Sequence, residues 1–155
     1  MKIIQGNIWS FWNDGYYIVI PTNGSVKKDG ECVMGRGLAL QAKQKFVDLA
    51  RRLGISIEES GNRLLILNDK RLIIFPVKRF WFENASLDII ERSCKQLVEA
   101  VNMDSCLDED LKYPVYLPKV GCGNGRLNWN EVKPILEKYL DDRFIVIIPK
   151  DLNIA

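Results

Sequence analysis

Two glycine-rich segments, each where an apolar run gives way to an amphipathic one, restrict this chain more than any other feature. The first is Val33-Met34-Gly35-Arg36-Gly37-Leu38-Ala39, which opens a helical pattern. The second is Pro118-Lys119-Val120-Gly121-Cys122-Gly123-Asn124-Gly125-Arg126-Leu127, which follows a short apolar strand and precedes another helix. Glycine lets backbone N–H groups approach an anion closely, and a helix N-terminus adds unpaired donors and a positive dipole end. One such loop is common. Two at strand-to-helix junctions suggest a pyrophosphate held between them.

Around these loops the period of the apolar residues alternates between strand and helix. Strands are expected at Lys2–Gln5 and Tyr16–Pro21, at Arg63–Leu67 and Leu72–Val77 as a hairpin about Asn68-Asp69-Lys70-Arg71, at Val115–Leu117 and at Phe144–Pro149. Helices are expected over Gly37–Leu53 with Gly54 as the C-terminal stop, over Ser86–Val101, and from Asn128 to Tyr139 with an Asn128/Glu131 capping box. Met103–Lys112 is expected to be the least ordered stretch. The alternation argues for an α/β layered domain with a mixed sheet, whose ligands sit beyond the strand C-termini where the glycine loops fall. At 155 residues the chain is expected to form one domain spanning 1–155.

Composition narrows the chemistry. The chain has no histidine, so Ser-His-Asp and Cys-His arrangements are impossible, and the usual zinc and non-haem iron sites are disfavoured. No metal or cofactor is expected. The four cysteines (Cys32, Cys94, Cys106, Cys122) have no ligand-like spacing, and no signal peptide or membrane span is evident. They read as reduced thiols of a cytoplasmic protein, with Cys122 a packing residue rather than an activated nucleophile. The net charge of +2 does not argue for wholesale nucleic-acid coating. Basic residues do concentrate at Lys27, Lys28, Arg36, Lys43 and Lys45, whereas Asp104 to Asp110 is acidic. The basic group is either a positive rim around an anion or an ordinary solvated helix face.

Gly6-Asn7-Ile8 after the first strand, Asn23 after the second, Met34-Gly35-x-Gly37 at a helix start, and Gly121-Cys122-Gly123-x-Gly125-x-Leu127-x-Trp129 follow one another in an order that resembles a macro domain over nearly the whole chain. Ile74-Phe75-Pro76-Val77-Lys78-Arg79-Phe80-Trp81 sharpens this likeness. It is similar to the strand ending in a functional lysine found in the antitoxin-type DNA ADP-ribosyl glycohydrolases and the terminal ADP-ribose glycohydrolase. The resemblance implies a three-layer α/β/α sandwich with a mixed central sheet that binds ADP-ribose.

The same resemblance distributes the roles. Lys78 and Asn23 stand at the catalytic positions. Gly6, Asn7 and Ile8 belong to the adenine end. Thr22, Met34, Gly35, Arg36, Gly37 and Leu38 form one side of the phosphate and distal-ribose site. Pro118, Gly121, Cys122, Gly123, Asn124, Gly125 and Arg126 form the other. Read without the resemblance, Asn23 is a turn residue before Gly24, and Lys78 is a strand-end cation. Phe80-Trp81-Phe82 either stacks a flipped base or a single strand, or covers the sheet edge as an apolar lid. Trp129 reads as packing beneath the second loop, and Trp9, Phe11 and Trp12 as packing near the adenine end.

Two departures from the family pattern bear on substrate. Gly125 stands where the terminal ADP-ribose glycohydrolase has an acidic residue, which the antitoxin type also lacks. Val26–Glu31 lengthens the segment beside the distal ribose. The resulting expectation is an ADP-ribosyl glycohydrolase acting on a modified macromolecule, nucleic acid first. Its partners would be ADP-ribose or an ADP-ribosylated substrate, single-stranded nucleic acid and a cognate ADP-ribosyltransferase, with no membrane. The rivals are an ADP-ribose 1″-phosphate phosphatase, an O-acyl-ADP-ribose deacylase and a non-catalytic ADP-ribose reader. A Rossmann-type NAD site is disfavoured, because Gly35-x-Gly37 lacks the full glycine spacing and the ribose-binding acid.

Overall fold

The computed structural model of the protein describes residues 1–103 and 111–150. The stretch expected to be least ordered lies mostly outside the described residues, as does the acidic segment Asp104–Asp110. The elements run β1 (Lys2–Gln5), α1 (Ile8–Asn13), β2 (Ile18–Asn23), α2 (Gly37–Lys45), α3 (Leu49–Ser60), β3 (Leu65–Leu67), β4 (Leu72–Lys78), α4 (Leu87–Asn102), β5 (Val115–Leu117), α5 (Trp129–Tyr139) and β6 (Phe144–Ile148).

The strands form one mixed sheet in the order β1-β6-β5-β2-β4-β3, in which only β3 runs antiparallel. Alternate side chains on the central strands feed two cores. Tyr17, Val19, Ile73, Phe75 and Val77 face α4 and α5, while Ile18, Ile20, Leu72 and Ile74 face α1, α2 and α3. Strands buried on both faces read as continuous apolar runs, which is how β2, β4 and β6 look in the sequence. The architecture is the expected three-layer α/β/α sandwich. Among the described residues, no helix is long and apolar enough to cross a membrane.

The expected helix over Gly37–Leu53 is two helices, broken at Phe46–Asp48. Phe46 leaves helical geometry (φ −123°, ψ 105°), and its ring meets Trp12 edge-on at 5.6 Å. Gly54 does not stop a helix; it lies within α3, which continues to Ser60. A Cβ on Gly54 would run into the Gly30 carbonyl oxygen, and the Cys32 N–H donates to the Ala50 carbonyl at 2.8 Å. Gly54 is thus a site of close backbone approach that ties the 26–32 loop to α3. Gly54→Ala should cost about 1–3 kcal/mol through overpacking against backbone that cannot swing aside. A lowered urea midpoint with an unchanged m-value would register that loss; an unchanged midpoint would refute it.

Two further differences are local. Residues 8–13 form α1, a short helix absent from the sequence reading, and its cap is the Asn7 side chain accepting from the Trp9 N–H at 3.0 Å. Asn128 caps α5 through the Asn130 N–H at 2.9 Å, rather than closing a box with Glu131.

Candidate functional site

The parallel strands β5, β2 and β4 are neighbours, and their C-terminal ends open onto one cavity of about 710 Å³. That volume lies within the range of small-molecule and cofactor sites. The position is dictated by topology, since the chain crosses over on either side of β2 and leaves a crevice beyond its end. Asn23 and Lys78 close β2 and β4, and a shift in register after Thr22 brings them opposite one another.

The two glycine segments form facing walls. Met34, Gly35, Arg36, Gly37 and Leu38 line one side, and Pro118, Gly121, Gly123, Asn124, Gly125 and Arg126 the other. The walls meet where a Cβ on Gly37 would lie 3.2 Å from the Asn124 side-chain amide nitrogen; Gly37 has φ +58°, in the region glycine favours. The glycines have different physical reasons. Gly121 and Gly125 are buried: a Cβ on Gly121 would press into Ile90 of α4, and one on Gly125 into the Gly121 carbonyl and Ala85, so the first lets the loop pack on α4 and the second lets it fold closely on itself. Gly35 and Gly123 have open space where a Cβ would point, which leaves their backbone accessible.

Lys78 extends from the end of β4 into this space. Its Nζ donates to the Trp81 carbonyl at 3.1 Å, and no carboxylate pairs with it among the described residues. Burial is the main cause of a pKa below the ordinary lysine value, and the charges of Arg126 and Arg36 push it the same way. Among the described residues, five cations (Lys27, Arg36, Lys78, Lys119, Arg126) and one carboxylate, Glu83, line the cavity. The lining is therefore net positive, a charge that attracts anions. The basic cluster divides accordingly: Lys27 and Arg36 reach the cavity, while Lys43 joins Lys27 in pairing with Glu31.

Asn23 is buried at the cavity floor, with both ends of its amide engaged. Its Nδ2 donates to the Val33 carbonyl at 3.0 Å, and its Oδ1 accepts from the Ser25 N–H at 2.9 Å. It thereby ties the first glycine segment to the end of β2. One amide hydrogen and one lone pair remain for a ligand.

Thr22 also lines the cavity, whereas Gly6, Asn7, Ile8 and Cys122 do not. The Gly6 N–H donates to the Ile148 carbonyl, Asn7 caps α1, and Ile8 is buried beneath that helix. Cys122 places its Sγ 3.5 Å from the Val120 carbonyl, and burial raises its thiol pKa, so it is not an activated thiolate. Burial pushes Cys32 and Cys94 up to about 12. Pro21, Val77, Glu83 and Asn84 also line the cavity, with no role assigned to them from the sequence; so do Lys27, a member of the basic group, and Trp81 and Phe82, of the aromatic run. The usable signal was adjacency: most of them flank Lys78, Asn23 or a glycine loop in sequence.

Trp9, Phe11 and Trp12 pack α1 against its surroundings, as expected. Phe11 stacks on Tyr116 with ring centroids 4.1 Å apart, and the Trp12 indole N–H donates to the Lys70 carbonyl at 2.8 Å. Trp129 is half-buried against the core, with Lys119 Nζ 5.4 Å from its ring centre.

No protein-family model matches the chain. A DNA ADP-ribosyl glycohydrolase of Thermus aquaticus is 29% identical over 119 residues, covering 70% of this chain and 31% of that protein. A DNA ADP-ribosyl transferase–DNA ADP-ribosyl glycohydrolase fusion protein of Thermosipho africanus is 28% identical over 132 residues, covering 70% of this chain and 32% of the fusion. The chain thus spans about a third of the length of these two relatives. The human ADP-ribose glycohydrolase OARD1 is 26% identical over 111 residues, covering 72% of this chain and 69% of OARD1.

Among solved structures, the macrodomain of Thermus aquaticus DarG superposes with a TM-score of 0.72 at 25% identity, covering 94% of this chain and 95% of that one. The Thermosipho africanus DarTG in complex with ADP-ribose superposes with a TM-score of 0.75 at 20% identity, covering 100% of this chain and 43% of that one. The protein has the macrodomain fold, and in both sequence and structure it is similar to DNA ADP-ribosyl glycohydrolases.

Proposed function

We propose that the cavity binds ADP-ribose and that the protein hydrolyses an ADP-ribosyl bond on nucleic acid. The observation that carries this reading is the Lys78 amine, held with a depressed pKa in an anion pocket between two glycine walls. The pyrophosphate would lie between the backbone N–H groups of residues 35–37 and 121–125, with Arg36 and Arg126 balancing its charge. The distal ribose would then reach Asn23 and Lys78, which face each other across the ends of β2 and β4.

In the neutral form, Lys78 can add to C1″ of the distal ribose as the glycosidic bond breaks, while the leaving base takes up a proton. The sugar opens to an imine on Lys78. Water then hydrolyses that imine, releasing ADP-ribose and restoring the amine. Asn23 would orient the ribose through its remaining hydrogen and lone pair. The relatives named as glycohydrolases support the reaction class, and the fusion with a transferase supports a cognate ADP-ribosyltransferase as partner.

The deciding assay is release of free ADP-ribose from an ADP-ribosylated thymidine oligonucleotide. Phosphate or acyl release from ADP-ribose 1″-phosphate or O-acyl-ADP-ribose, with the oligonucleotide left intact, would favour the phosphatase or deacylase. Binding of ADP-ribose without any release would identify a reader. Borohydride added during turnover should fix a reduced ADP-ribosyl adduct on Lys78, detectable by peptide mass.

The pH profile supplies an independent check. An amine that reacts in its neutral form makes kcat/KM rise with pH and level off above the free enzyme's lysine pKa. Burial, Arg126 and Arg36 all lower that pKa, so the plateau should begin below the pH range of an ordinary lysine. Arg126→Asn removes one of these charges and keeps a residue that tolerates the φ of +63° at this position. Its profile should move to higher pH, whatever the loss in amplitude. An unmoved profile would mean that the titrating group is not Lys78.

A further inference from the structure

Three consecutive aromatic rings after β4 belong to neither core: Phe80 is 39% exposed, Trp81 55% and Phe82 67%. An apolar lid over the sheet edge would bury such rings, and these face outward. Trp81 and Phe82 line the mouth of the cavity beside Lys78. Phe80 and Phe82 lie parallel, with centroids 5.6 Å apart and an interplanar angle of 7°, while Trp81 stands edge-on to Phe82 at 5.8 Å. The guanidinium of Arg79 sits 4.7 Å from the Phe80 ring centre.

The backbone carrying these rings is firmly tied. The Glu83 N–H donates to the Phe80 carbonyl at 3.1 Å, and the Glu83 carboxylate accepts from the Phe80 N–H at 3.2 Å and pairs with Arg79 at 3.3 Å. The Trp81 N–H donates to Ser25 Oγ at 3.0 Å, and the Gly24 N–H donates to the Arg79 carbonyl at 2.9 Å. A turn fixed at so many points presents its rings without a large ordering cost on binding. Flat exposed rings beside a strongly cationic pocket suit a ligand that alternates π-faces with phosphates.

We propose that Trp81 and Phe82 form a stacking shelf for a base of single-stranded nucleic acid adjoining the ADP-ribosylated nucleotide. Arg79, Lys27 and Lys119 would face the flanking phosphates. This rests on the nucleic-acid reading of the site and deepens it by assigning the surface that distinguishes an oligonucleotide from free ADP-ribose.

The test compares fluorescence anisotropy of a short unmodified oligothymidylate at low salt with calorimetric binding of ADP-ribose. Thermal melts of every variant serve as the folding control. Joint replacement of Trp81→Ala and Phe82→Ala should weaken oligonucleotide binding about tenfold or more. ADP-ribose binding should fall by a much smaller factor. Phe82→Tyr should retain oligonucleotide binding and Phe82→Leu should not, because leucine keeps apolar bulk and loses the stacking face.

Three results would overturn the shelf: a wild-type protein that does not bind the oligonucleotide, a double variant that binds it equally well, or parallel losses for both ligands. An equal penalty on turnover of an ADP-ribosylated peptide would overturn it in favour of a protein-facing surface. Binding of the unmodified strand needs no hydrolysis, so the shelf can fail or stand separately from the glycohydrolase.

Discussion

Lys78→Ala should lower release of ADP-ribose from an ADP-ribosylated oligonucleotide by at least about 10²–10⁴-fold: that is the range for losing a group that only moves a proton or stabilises charge, and removing the covalent nucleophile itself costs no less. ADP-ribose binding should persist. The side chain is half-buried at the end of β4, and among the described residues its one hydrogen bond is to the Trp81 carbonyl, on an exposed residue where water can replace it. Removing an amine with a depressed pKa and two nearby arginine charges also removes repulsion, so the fold should not suffer. Single-turnover release together with calorimetric affinity gives both quantities. Retained turnover would eliminate the lysine mechanism. Loss of affinity in step with turnover would make Lys78 a binding residue instead. Lys78→Arg separates charge from nucleophilicity, since arginine keeps the cation and cannot react as a neutral amine.

Gly35→Glu should reduce ADP-ribose affinity by on the order of several hundredfold, because a carboxylate placed against a pyrophosphate costs several kcal/mol. The position makes the experiment unusually clean. A Cβ at Gly35 meets no atom within 4 Å, and its φ is not in the positive region, so the variant should fold normally. Gly35→Ala is the matching control and should cost far less, since it adds bulk without charge. The same substitution at Gly121 would be uninformative, because a Cβ there collides with Ile90 and the backbone sits at φ +75°. Unchanged affinity in Gly35→Glu would remove the anion from this wall of the cavity and the phosphate-pocket model with it.

Much of this organisation is legible in the residues. The strands β2, β4 and β6 stand out as continuous apolar runs because both faces are buried, and α4 because its apolar period is clean. The glycine loops stand out because several glycines crowd into one strand-to-helix junction, twice in the chain. Lys78 is legible only in company: a lysine ending a strand is ordinary until the Phe75-Pro76-Val77 before it and the Arg79-Phe80-Trp81 after it are considered together.

The errors have physical causes of one kind. The apolar period of residues 38–53 runs unbroken through Phe46 and Leu49, so a single helix fits the pattern. The break is imposed by Phe46 turning onto Trp12, which lies far away in the chain. Gly54 has the position of a stop signal, but its lack of a side chain answers to the Gly30 carbonyl in another loop. The six-residue helix α1, capped by the Asn7 carboxamide, is too short to be announced by periodicity.

The residues by themselves determined the α/β alternation, the two glycine-rich loops and the absence of histidine chemistry, because spacing and residue type act locally and need no partner to be read. Tertiary structure alone decided which of those loops' atoms face a common space. Parallel strands β5, β2 and β4 become neighbours only when the chain crosses over, and that crossing brings Asn23 opposite Lys78 and both glycine walls around them. Burial then lowers the pKa of Lys78, and exposure leaves Trp81 and Phe82 uncovered at the rim. Both are consequences of what packs nearby, which no stretch of sequence carries within itself.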